Sequence, residues 1–172
     1  KISYGSAGAG SPHHLAMEML KSRTGLHMVH IPYRGAAPAL ADLAGGQIPV
    51  MMVDMAAGAG FIKSGKVRPL AVANDKRLPQ LPDVPTFAEL GVKGVESAAL
   101  VGLVGPANMP PEVLAALQKQ VAAVIQQPAV SQKLIDFGVQ PVGSTSAEYA
   151  ALLASENARW RALIKELKIA LD

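Results

Sequence analysis

Between Tyr4 and His14 the chain reads YGSAGAGSPHH, with glycines at 5, 8 and 10, serines at 6 and 11, and Pro12 just ahead of a helix-like run. Glycine-rich backbone at the start of a helix leaves N–H groups facing outward at the positive end of the helix dipole, which is an anion site in outline. Ser11 has the side chain of an N-cap, and Pro12 suits the first helical position because its missing N–H would have had no intrahelical partner. Two nucleotide signatures fail here. The run Gly8-Ala9-Gly10-Ser11-Pro12-His13 lacks the third glycine of a dinucleotide fingerprint. Gly5 and Gly10 have P-loop spacing, but Ser11 stands where the lysine belongs and Pro12 removes a donor. What survives is a small anion such as a carboxylate, held by backbone N–H groups and the hydroxyls of Ser6 and Ser11. A tight strand-to-helix turn with an N-cap and no ligand is the alternative reading.

The elements that must position this loop follow from periodicity. A β-branched lead-in at Ile2-Ser3-Tyr4 precedes it, and Leu15, Ala16, Met19 and Leu20 share one face of the helix behind it. Gly25 ends that helix, and residues 26–31 read as a strand. The segment PYRGAAPALADLAGGQ supplies a loop over 32–35 and a helix through Ala44, stopped by Gly45-Gly46. Residues 49–54 read as a buried strand ending on Asp54, then a short helix through Lys63 closed by Gly65, then a strand over 67–73. The alternation predicts an α/β fold with a mostly parallel sheet and helices on both faces. Residues 74–86 form an irregular, proline-rich connection, and Thr86 can cap a short helix over 87–90. Residues 97–104 are an unbroken apolar run and read as a buried strand. Pro110-Pro111-Glu112 opens a long helix to Gln127, Pro128 starts another, residues 139–142 suggest a short strand, and 144–168 an amphipathic helix containing Trp160. A lobe boundary is expected near residues 97–105.

The chain has 172 residues, half of them hydrophobic and only 4% aromatic, so its core must be built of small aliphatic side chains. Sixteen basic and 13 acidic residues give a net charge of +3 without a Lys/Arg block, which speaks against nucleic-acid binding. No run of about 18 apolar residues is present. With no cysteine, disulfides and thiolate chemistry are excluded, and cytoplasm and periplasm both remain open. The chain starts at Lys1-Ile2 without an initiator methionine, as a processed or excised piece would.

Enzyme chemistry finds little support. His13 and His14 are adjacent and point about 100° apart on a helix, while His27 and His30 have opposite parity on a strand, so neither pair converges on a metal. There is no G-x-S-x-G elbow for a serine hydrolase. No cofactor, metal or catalytic residue is expected. The methionines, Met17, Met19, Met51 and Met52 among them, read as core filler, and Trp160 as an anchor for its helix.

YGSAGAGSPHHLA, PYRGAAPALADLAGGQ, KVRPLAVANDKR and LPDVPTFAELG, in that order, resemble the tripartite tricarboxylate receptor family, the Bug-type periplasmic solute-binding proteins. GLVGPANMPPEVLAALQKQVAAVI and FGVQPVGSTSAEYAALLASENARW resemble its C-terminal section, so the likeness covers nearly the whole chain. The resemblance implies a type II periplasmic-binding-protein fold, a two-lobed flytrap that closes on a small mono- or dicarboxylate and delivers it to a membrane transporter. Residues 1–97 would be the second lobe and 98–172 the returning, helix-rich part of the first, whose opening half this chain would lack. The family's carboxylate-holding loop maps onto Ser6, Ala7, Gly8, Gly10 and Ser11, and further binding positions onto Tyr33, Arg34 and Asp54. A solvated surface role for Arg34 and a capping role for Asp54 stay open beside that. The resemblance also implies a periplasmic location, no catalysis, transporter subunits as partners, and a surface left uncovered by the absent half through which a homodimer could form. The alternative is an enzyme domain that holds a phosphorylated or acyl substrate at the same loop.

Overall fold

The computed structural model describes residues 2–96, 100–167 and 169. The chain divides into two compact units, Lys1–Ala99 with Leu163–Asp172, and Leu100–Ala162.

The first unit is built on strand β1 (Ile2–Ser6), which pairs in parallel with β2 (Met28–Pro32), Tyr4 opposite His30 and Ser6 opposite Pro32. On its other edge β1 is met by the 50–51 segment, through a parallel bridge from Gly5 to Met51 and the Gly5 N–H donated to the Val50 carbonyl. The connection between the strands is helix α1 (Pro12–Thr24), capped by Ser11, whose Oγ accepts the His14 N–H, and stopped by Gly25 in the left-handed region. Helices α2 (Ala36–Ala44) and α3 (Met55–Lys63) follow. Parallel strands need such crossovers, and α1 and α2 both pack on β1. Tyr4, Leu15, Ala16, Met17, Met19, Ala39, Leu40, Ile48, Val72 and Val95 form the core. Met17 and Met19 lie there as expected. Gly5 is one place where glycine is demanded by packing: a Cβ would collide with the end of Ile48 and press on the Tyr33 ring.

The second unit holds α4 (Pro111–Ile125), α5 (Pro128–Asp136) and most of α6 (Ser146–Leu167). Gln118 of α4 and Gln126 at its C-cap donate to the Ser144 and Val142 carbonyls, and the Ala122 and Ile125 side chains lie against Gly143. No residue described between 100 and 162 is buried.

The α/β class and the parallel pairing match the reading of the sequence, while several strands do not form at their expected length. The 49–54 segment contributes one bridge residue before Asp54 opens α3, and Pro49 has no N–H to donate. The 67–73 segment is reduced to a bridge from Val72 to Thr86, with Pro69 inside it. Of the apolar run 97–104, residues 97–99 lie outside the described residues. The remainder forms no regular element, with Val101 75% and Val104 84% exposed. An apolar run becomes a buried strand only where neighbouring strands and a covering layer meet it; here no described strand pairs with it, and the Tyr149 ring of α6 covers it only at Gly102. Residues 139–142 are likewise irregular, and 87–90 form turns instead of a helix. The Thr86 cap is nonetheless made: its Oγ1 accepts the Glu89 N–H, and Glu89 accepts the Thr86 N–H.

Candidate functional site

The loop from Ser6 to Ser11 lies at the carboxyl end of β1 and at the N-terminus of α1, the edge of an open parallel sheet where ligands bind. Gly8 and Gly10 have φ of 141° and 72°, backbone that side chains strain to adopt. Those angles fold the loop back on itself. The Gly8 N–H donates to Ser6 Oγ at 3.1 Å, the Ser11 N–H to the Gly8 carbonyl at 3.2 Å, and the Gly10 N–H to His14 Nδ1 at 3.0 Å. Among the described residues, no protein acceptor takes the N–H of Ala7 or Ala9. α1 carries no acidic residue in its first turn to neutralise the dipole there.

The eight expected positions come together at this edge, in different conditions. Ser6 is fully buried and its Oγ lies 2.6 Å from His30 Nε2, so its hydroxyl works inside the loop. Ser11 is the helix cap. The loop after β2 is tied to the first by two main-chain bonds, from the Tyr33 N–H to the Ser6 carbonyl and from the Gly35 N–H to the Ala7 carbonyl. This places Tyr33 and Arg34 beside Ser6 and Ala7. The Tyr33 hydroxyl donates to Asp42 Oδ2 at 2.7 Å, and that bond pushes its pKa up, whereas Arg34 is exposed. Asp54 caps α3, its Oδ1 accepting the Ala57 N–H at 2.9 Å, while its Oδ2 stands 3.4 Å from His13 Nε2 at the start of α1. Both its oxygens thus have protein partners, and as an ionised carboxylate it is an acceptor with no donor to give an anion. The Nδ1 of His13 is buried without a hydrogen-bond partner.

The histidines do converge, but not in the pairs that sequence neighbourhood suggests. His14 and His30 stack with ring centroids 3.9 Å apart and planes 7° from parallel, and Tyr4 stacks on His30 at 5.0 Å. Comparing neighbours on one helix or one strand missed this. The signal lay in the strand register, which sets His30 opposite Tyr4, and in the first turn of α1, which returns His14 over β1. Beneath them the Tyr4 hydroxyl donates to Glu18 Oε1 at 2.5 Å and Lys21 Nζ to the same oxygen at 2.7 Å. Burial, then Glu18, pushes the Tyr4 phenol far up; burial also opposes ionisation of Glu18, but the bonds from Lys21 and Tyr4 outweigh it and hold that carboxyl below its usual range. No group of three or more potential metal ligands exists among the described residues.

An α/β fold with a glycine-rich loop at the strand ends is a frame on which ligands are commonly held, and the relatives of this chain place it more closely. The family model of the tripartite tricarboxylate transporter family receptors matches residues 1–169, and the chain belongs to this family. It is 35% identical over 98% of its length to the UPF0065 protein in the tcbD-tcbE intergenic region of Pseudomonas sp. strain P51, covering 51% of that protein. It is 30% identical over 96% of its length to protein BugT of Bordetella pertussis, again covering 51%. A shorter relative from Pseudomonas knackmussii, 34% identical, is covered over 94% of its own length. Among solved structures, Rpa4515 of R. palustris with adipate superimposes with a TM-score of 0.92 at 35% identity, over 99% of this chain and 57% of that one. The periplasmic binding protein BugD gives 0.81 at 32% identity over 98% and 57%, and MatC of Rhodopseudomonas palustris with bound malate 0.82 at 27% over 95% and 56%. The chain therefore spans about half the length of most of these relatives. The family is one of receptors, and the enzyme alternative finds no support in it. No helix among the described residues is long and apolar enough to cross a membrane.

Proposed function

We propose that the chain carries the carboxylate-holding loop of a periplasmic solute receptor, which captures a small mono- or dicarboxylate and hands it unchanged to a membrane transporter. The observation that carries the reading is the Ser6–Ser11 loop, whose Ala7 and Ala9 N–H groups meet no acceptor among the described residues, at the positive end of a 13-residue helix. The adipate and malate bound to similar proteins support the substrate class. Arg34, exposed beside Ala7, supplies a positive charge that can bind a carboxylate with two parallel hydrogen bonds.

In this reading residues 1–97 are the second lobe of a flytrap and 98–172 the returning part of the first. Each lobe supplies part of the hydrogen bonds and part of the exclusion from water that strengthens them. The apolar side chains exposed on the second unit, among them Val101, Leu103, Val104 and Phe137, support a homodimer as a further partner, which sedimentation across a concentration series would test. Binding is tested by thermal unfolding of the chain against a panel of mono- and dicarboxylates, because a ligand that binds only the folded state raises the melting temperature. A rise with adipate or malate, with the compound recovered unchanged, is expected. No rise with any carboxylate even at large ligand excess, or consumption of the compound, would contradict the receptor reading.

A further inference from the structure

We propose that His14 is a positioning residue whose proton decides whether the Gly10 amide is held inward or offered to a bound carboxylate. The proposal rests on the loop being the carboxylate site. His14 Nδ1 accepts the Gly10 N–H at 3.0 Å, so in this arrangement Nδ1 carries no proton and the neutral ring holds its own on Nε2, 3.9 Å from Glu18 Oε1. A loop donor is thereby spent on the protein. If Nδ1 gains a proton, ring N–H and amide N–H point at each other, the bond is lost, and the amide turns away from the ring.

The groups that face His14 set when this happens. Ionised Glu18 on α1 favours the imidazolium, while Lys21, bound to the same carboxylate, weakens that attraction. From the strands, His30 stacks on the ring at 3.9 Å and Tyr4 lies 6.4 Å away, so a charge on one imidazole disfavours a charge on the other. His30 is joined to the same loop from the other side, since Ser6 Oγ, its 2.6 Å partner, accepts the Gly8 N–H. His13, the neighbour on α1, faces Asp54. A carboxylate seated at the loop accepts the Gly10 N–H and adds negative charge above His14, so ligand and proton favour each other's binding reciprocally.

The test uses the whole 172-residue chain, isotope-labelled, with adipate as the probe. Without ligand, the Gly10 amide resonance is expected to follow the His14 ring resonances point for point as the pH is lowered over the range in which the chain stays folded. His14→Asn, whose Oδ1 can accept the same amide but gains no proton there, is expected to leave Gly10 flat over that range. Adipate titrated calorimetrically in two buffers of different ionisation heat is expected to bind with proton uptake, and about fivefold or more tightly at the acid end of the range, both effects vanishing in His14→Asn. A Gly10 amide indifferent to His14, or adipate bound without proton uptake, would overturn the proposal. If adipate binds at no pH, the reading of the site falls, and the coupling is decided by the Gly10 titration alone.

Discussion

The Tyr4 hydroxyl and the Glu18 carboxylate, 14 residues apart, meet at 2.5 Å and tie β1 to the helix that follows the loop. Because burial and Glu18 raise the Tyr4 pKa, the folded state resists ionisation of a phenol that ionises near pH 10 in the unfolded chain. That contribution is fully present below about pH 10 and is lost as pH climbs above it. Chemical unfolding of the wild type should therefore become easier from about pH 10 upward. Tyr4→Phe should cost about 1 kcal/mol at neutral pH and show a flatter alkaline profile. Identical alkaline profiles would show that Tyr4 does not carry the effect.

Glu18 has the opposite sign. Burial opposes its charge, but the hydrogen bonds from Lys21 and Tyr4 depress its pKa, so its contribution is present above the unfolded carboxyl value of about 4.3 and lost as pH falls through the folded one. Acid titration of stability should show a shallower slope for Glu18→Gln than for the wild type. Equal slopes would remove Glu18 from the account.

Gly5 is boxed in by Ile48 and Tyr33 at the centre of the parallel pairing. Gly5→Ala should destabilise the chain by about 1–3 kcal/mol through overpacking, since Ile48 is itself buried and has little room to retreat. Denaturant unfolding checks it, and a neutral result would mean that the Ile48 side chain rearranges freely.

Two caps should behave alike in stability and differently in binding. Ser11→Ala removes the bond to the His14 N–H and Asp54→Ala the bond to the Ala57 N–H, each costing about 1 kcal/mol. Only Asp54→Ala also removes a negative charge from the edge where an anion is to be held, so it should strengthen carboxylate binding. Weaker binding in Asp54→Ala would make Asp54 a ligand contact in its own right.

Much of the first unit was legible in local signals. Ser11, Pro12 and Gly25 mark the helix between them, and Gly45-Gly46 close the next, because caps and left-handed turns depend on neighbouring residues alone. The apolar run at 100–104 misled for the opposite reason. Its composition suits a buried strand, but pairing and cover must come from residues distant in sequence; among the described ones no strand pairs with it, and Tyr149 reaches it only at Gly102. The site divides in the same way. The turn of Ser6, Gly8 and Gly10 is written in their own residue types, whereas the commitment of two loop amides to Ser6 and His14 depends on how α1 folds back over β1 and on the register that brings up His30.

The central claim, that this loop holds a carboxylate, is tested most directly by adding adipate to the isotope-labelled chain and following every backbone amide. The account predicts saturable shifts concentrated at Ala7, Gly8, Ala9, Gly10 and Ser11, with smaller ones at Tyr33 and Arg34. Shifts confined to the second unit, or none even with adipate in large excess, would contradict it.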